Sequence, residues 1–335
     1  MTSKDTRKRQ LIDTAFRLRG AEFSQCFAPG GACEQPAIRA HSIQNTKTLD
    51  YLVRNGHVVV PIHRMDVDKG ILISLAEIGR NKATTFAGLC STHDMQLFST
   101  IETQDLDPGN PEHLFLLAYR AVIYELHACC AAGWVLQMAY QKRVELGLDP
   151  KEQPSPAGLR ATGRLIVACE TYLYKEQFDE IYATRRFDSM THDVLMLNVK
   201  EPTVAASVMF SLDEYLNDRN ETVRVCLTLM PIAPTCTIAV FSYLASDVLF
   251  ARSHLARILH SSGEHQKYEL SRYVFNYCSN FVLSPSFVDS WAPSKRQVIT
   301  DYFARTVLEN DLSFEHPVKW PRFDGHRHCL HLGGR

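Results

Sequence analysis

The stretch FSQCFAPGGACEQPAIRAHSIQ, Phe23–Gln44, places Cys26, Cys33 and His41 within sixteen residues. Both cysteines lie among glycine, proline and small residues, where burial as small hydrophobes is a weak explanation for them. A counterpart follows in ATTFAGLCSTHDMQLFSTIE, residues 83–102, where Cys90 and His93 form a C-x2-H pair. There Ser91 and Thr92 are suited to cap a helix, and Met95, Leu97, Phe98 and Ile101 supply its inner face. Between the two stretches, GHVVVPIH (residues 56–63) and GILISLAEIG (residues 70–79) read as strands from their β-branched content and Gly or Pro boundaries.

The order is thus a cysteine knuckle, a histidine, two strands and a turn, then a second ligand pair at a helix start. That is the plan of a treble-clef zinc module. Zn²⁺ favours four soft or borderline ligands in a tetrahedron, and short-spaced pairs from a loop and a helix start supply them. Cys26, Cys33, Cys90 and His93 are the expected four, with Gly30 and Gly31 letting the long C-x6-C loop fold back. An alternative set uses His41 as a ligand and frees one of the four; the spacing leaves it open.

Over about residues 24–104, AIRAHSIQ followed by GLCSTHDMQLF resembles the HNH, or His-Me finger, nucleases. The zinc-bearing members of that family run C…C…(E/S)HIIP…LC-x2-CH. The resemblance implies that His41 is the general base activating water, that Cys90 and His93 replace the structural C-x2-C, and that Asp94 replaces the metal-binding histidine after it. It further implies a catalytic Mg²⁺ or Mn²⁺, which a carboxylate suits, and DNA as the partner. A setting in bacterial antiviral defence or mobile elements is implied as well. The chain departs from the pattern at Gln44, where the family commonly has proline, and at the central asparagine, for which Asn81 is the nearest candidate. Loss of catalytic letters with the zinc frame kept is the mark of modules that bind without cutting. The competing reading is therefore a non-catalytic zinc module docking nucleic acid or protein.

The whole chain sets the background. It has 335 residues, 45% hydrophobic and 22% charged, which fits a globular protein of two or three packed parts. A net charge of −1 gives no whole-chain argument for nucleic acid. The exception is an expected basic arm at residues 1–20, holding Lys4, Arg7, Lys8, Arg9, Arg17 and Arg19. No apolar run approaches the ~20 residues a membrane helix needs, and the charged N-terminus does not read as a signal peptide, so the expectation is a cytoplasmic protein without a membrane partner. The ten cysteines are then expected to be reduced, with Cys129, Cys130, Cys169, Cys226 and Cys278 buried as small hydrophobes inside apolar runs.

After the zinc module, placed at residues 21–107, residues 108–335 are expected to form a mainly helical domain, available to a protein partner. It carries a small antiparallel β-meander at about 203–244, which makes the fold class α+β. Residues 112–147 read as a long buried helix containing Arg120 and His127, whose R-x6-H spacing resembles the helical HEPN ribonucleases. GLDPKEQPSPAGLR, residues 147–160, reads as a loop, and residues 164–186 as a helix. In TVRVCLTLM, residues 222–230, Val223, Val225, Leu227 and Leu229 alternate onto one face. His326, His328, Cys329 and His331 in the tail are a further candidate metal cluster.

Overall fold

The computed structural model of the chain describes residues 6, 10, 23–31, 33–66, 70–216 and 222–305. The basic arm, Thr6 and Gln10 apart, and the histidine-rich tail lie outside the described residues. Within them the fold is α+β, with seven α-helices, a seven-stranded antiparallel sheet and a two-stranded sheet. Contacts divide the chain into two compact units. One comprises Met1–Ala40, Phe86–Leu97 and Val122–Arg185, and the other His41–Thr85, Phe98–Ala121 and Arg186–Arg335.

The second unit is built on the large sheet. Its strands are β2 (His57–Asp66), β3 (Gly70–Gly79), β5 (Met190–Asn198), β6 (Val204–Leu216), β7 (Thr222–Ala233), β8 (Cys236–Leu244) and β9 (Phe281–Leu283), in the order β3-β2-β9-β6-β7-β8-β5. The expected small meander, β6 to β8, is therefore only part of a larger sheet. β2 and β3, expected inside the zinc module, are its edge pair. The three-residue β9 makes the join, since Leu283 registers with Val59 of β2 and with Val204 of β6.

Both faces of this sheet are covered, and period-two alternation decides which side chain goes where. Val59, Ala206, Phe281 and Leu283 enter one core, while Val58, Val60, Ala205 and Val282 enter the other. Val223, Val225, Leu227 and Leu229 share the first core, as the alternation of β7 requires. That core is closed by α4 (Val248–Leu259), α5 (Gly263–Tyr277), α6 (Pro285–Asp289) and α7 (Pro293–Phe303), which contribute Leu255, Leu270, Phe287 and Ile299.

The first unit frames the cysteine knuckle. The two-stranded sheet pairs β1 (Ile38–His41) with β4 (Thr85–Leu89), and β4 leads straight into α1 (Ser91–Thr103). Ahead of Cys26 and just after it, Gln25 and Phe27 donate their amides to the carbonyls of Ala87 and Gly88 at 3.1 and 2.8 Å, so the knuckle is laced to β4. The long helices are α2 (Pro111–Glu145) and α3 (Pro156–Thr184). α3 starts inside the segment expected as a loop: Ser155 accepts from the Gly158 amide and Pro156 fills the first turn, so S-P is a helix start here.

α2 also corrects an expectation. It is long and apolar enough to cross a membrane, with a window of mean hydropathy 1.4, of which 67% is buried inside the protein. A helix apolar all round is required wherever a core surrounds it.

Candidate metal centre

Cys26 and Cys33 are brought round by a turn at Pro29–Gly30 and a bend at Gly31. Gly30 has φ +78° and Gly31 φ +121°, and neither would meet an obstacle if given a Cβ. Conformation, not space, therefore calls for glycine at both positions. The other two ligands come from the β4–α1 junction. The Cys90 carbonyl accepts from the Asp94 amide at 2.9 Å, so Cys90 itself occupies the capping position expected for Ser91 or Thr92, and His93 sits in the first turn.

The sulfur atoms of Cys26, Cys33 and Cys90 and one nitrogen of His93 all lie within 4.8 Å of one another. Cys33 Sγ is 4.0 Å from Cys90 Sγ, Cys26 Sγ is 3.5 Å from His93 Nδ1, and Cys90 Sγ is 3.1 Å from the same nitrogen. Tetrahedral zinc, with bonds of about 2.3 Å to sulfur and about 2.0 Å to nitrogen, needs ligand edges of about 3.8 Å for S···S and 3.5 Å for S···N. The three edges given lie within about 0.4 Å of these values, close enough for the four atoms to surround one ion. Cys26 and Cys90 are buried, Cys33 and His93 half-buried. A closed Cys3His set of this kind suits a structural zinc.

The surroundings favour thiolate at one position and resist it at another. Burial pushes the Cys26 thiol up to about 11, against the pull of the Cys90 amide, which donates to Cys26 Sγ at 3.2 Å. At Cys90 burial also acts upward, but the amides of His93 and Thr92 and the side chains of Cys26 and Cys33 outweigh it and hold the thiol below its ordinary value. A helix N-terminus pointing at a thiolate has this effect. Three thiolates and one imidazole leave a zinc ion with one net negative charge, which those amides partly offset.

A buried clamp holds the knuckle from α3. Lys175, 1% exposed, donates to the Ala28 carbonyl at 3.0 Å and pairs with Asp179 at 2.7 Å, and Asp179 in turn accepts from the Gly30 amide at 3.4 Å. These residues were not singled out in the sequence. The signal was there, since Lys175 falls on the same helical face as Thr171, Tyr174 and Phe178, all buried, with a carboxylate four residues on.

The remaining candidates are placed as follows. Asp94 is half-buried in the first turn of α1. His41, at the end of β1, falls in the second unit, and its Nδ1 is buried without a hydrogen-bond partner among the described residues. Burial holds its pKa below the ordinary imidazole value; Arg120 and Arg80 act in the same direction, the Ala83 backbone and Glu102 against it. Asn81 accepts from Asn45 Nδ2 at 3.0 Å. Arg120 is buried, ion-paired with Glu102 at 2.7 Å and stacked over Phe98 at 4.1 Å, while His127 Nε2 lies 2.9 Å from the Phe23 carbonyl. Among the described residues the Cys3His group is the one cluster of three or more potential metal ligands. No family model matches the chain, and neither a curated protein nor a solved structure matches it.

Proposed function

We propose that the chain carries, over about residues 24–104, a zinc-stabilised module of HNH type that cleaves DNA with a second, divalent metal. The observation that carries this reading is the succession at the metal centre. β1 ends on His41 and pairs with β4, and β4 leads through the capping Cys90 directly into the helix that carries His93 and Asp94 in its first turn. In this reading zinc is structural and takes no part in the reaction. His41 is the general base: a depressed imidazole pKa keeps it neutral near pH 7, the state that accepts a proton from water. Asp94 is the carboxylate assigned to Mg²⁺ or Mn²⁺, which when bound supplies charge stabilisation at the phosphate. A role in bacterial defence or on a mobile element follows from the resemblance alone.

The second reading, a zinc module that docks nucleic acid or a protein without cutting, is favoured by one observation. The His41 Nδ1 atom is enclosed. A base must reach its water through a ring nitrogen, and enclosure of one leaves only the other for the task.

One sample separates the two. His41→Ala protein is assayed for zinc content and for cleavage of DNA with added Mg²⁺ or Mn²⁺, beside the wild type. The nuclease reading expects wild-type cleavage that requires the added metal, and a variant that keeps its zinc and loses cleavage. Absence of wild-type cleavage under every divalent metal supports the docking reading, and zinc loss in His41→Ala makes His41 a ligand.

A further inference from the structure

We infer that α3 is a self-association helix, on which a second copy of this chain packs in antiparallel orientation. The inner face of α3 is fixed by Ala161, Ala168, Thr171, Tyr174, Phe178 and Ile181, all buried. Its outer face is apolar too. Leu159 is 63% exposed, Ile166 54% and Leu173 58%, and the three are spaced by seven residues. Exposed Thr162 and Cys169 follow the first two by three positions, giving two turns of the two-position repeat along which one helix packs against another, and Glu176, three after Leu173, ends it on a charge. Leu165 and Tyr172, 44% and 39% exposed, widen the stripe on one side. Cys169 was expected to be buried and is instead an exposed free thiol in the middle of this stripe. An exposed apolar stripe at heptad spacing, on a helix already packed by its other face, marks a surface that buries against protein.

The charges select the occupant. The exposed charged residues in the first half of α3 are Arg160 and Arg164, both basic, and those in the second half are Glu170, Glu176 and Glu180, all acidic. An antiparallel pair crossing near Ile166 sets each basic half beside the acidic half of the other copy, and brings Leu159 level with Leu173. A parallel pair sets like charges together along the whole contact. Thr162 and Gly163 near the crossing leave room for a close approach.

The experiment is sedimentation equilibrium of the full, zinc-loaded chain over a range of concentrations, with Ile166→Glu as the variant. Because Ile166 faces solvent within the chain, the variant should fold as the wild type does, and its circular dichroism and zinc content check this. The expected result is a concentration-dependent dimer for the wild type, strengthened at low salt, and a monomer for Ile166→Glu. Orientation is read in a Cys169→Ser background: chains carrying Leu159→Cys and chains carrying Leu173→Cys should cross-link to each other when mixed, and far less to themselves. A wild-type monomer at every concentration overturns the inference, as does a dimer that Ile166→Glu leaves intact. Self cross-linking of each single variant in preference to mixed cross-linking overturns the antiparallel arrangement.

Discussion

The Lys175 ammonium lies 3.0 Å from the carbonyl oxygen of Ala28, so a fully buried cation on α3 holds the turn between Cys26 and Cys33, two of the four candidate metal ligands. Its charge is balanced by Asp179, 15% exposed, at 2.7 Å. Removing one member of a buried pair leaves the other uncompensated, at a cost of about 3 kcal/mol. Lys175→Met should therefore lower the thermal stability of the chain by that order and speed zinc release to a competing chelator. Asp179→Asn keeps a hydrogen-bonding group but leaves the more deeply buried Lys175 ammonium without its counter-charge, and should cost at least as much. A Lys175→Met protein that keeps wild-type zinc release would show that the clamp does not support the knuckle.

His192 on β5 gives the second unit a pH dependence. Its Nδ1 lies 2.7 Å from Ser242 Oγ, its Nε2 is buried without a partner among the described residues, and burial pushes its pKa from the ordinary 6.5 down to about 4, against the pull of Asp193. The folded state thus binds fewer protons than the unfolded state between those values. Stability from this residue is complete above about pH 6.5, declines as pH falls towards about 4, and changes no further below that, a loss of about 3 kcal/mol in all. His192→Gln removes the titration. Urea midpoints compared at about pH 7 and pH 4.5 should fall less in the variant than in the wild type, and an equal fall would contradict the assignment.

Asn280 ties three parts of the second unit together. Its amide nitrogen donates to Ser42 Oγ and to the Ser207 carbonyl, each at 2.8 Å, and its own carbonyl accepts from the Ser207 amide at 3.1 Å. The last of these is a backbone bond that Asn280→Leu keeps; what the substitution removes is the buried donor to Ser42 Oγ and to the Ser207 carbonyl. The expected loss is about 2–3 kcal/mol of unfolding free energy. Asn280→Asp, which cannot donate when ionised, should be at least as damaging at neutral pH, and a neutral outcome for both would mean that the network relaxes freely.

The sequence disclosed what short-range chemistry determines. Cys26, Cys33, Cys90 and His93 stand out because thiol and imidazole at close spacing among turn residues have few other uses, and the strands of β6, β7 and β8 announce themselves by β-branched runs with alternation. Long-range pairing left no such mark. β9 is three residues long, too short for a period to appear, and what makes it a strand is its contact with Val59, more than two hundred positions away. β5, MTHDVLMLN, mixes polar and apolar residues because it is an edge strand. Lys175 was hidden for a different reason: a lysine is ordinarily solvent-facing, and its burial depends on the Ala28 carbonyl and Asp179 being brought to it.

The central claim is that Cys26, Cys33, Cys90 and His93 together hold one structural zinc ion. Elemental analysis of protein purified without chelators tests it directly, run side by side on the wild type, Cys33→Ser and Cys90→Ser. One zinc per chain is expected in the wild type and far less in either variant, with loss of stability, because the binding free energy of a structural zinc is part of the folding free energy. A wild type without zinc, or variants that retain it in full, would contradict the account.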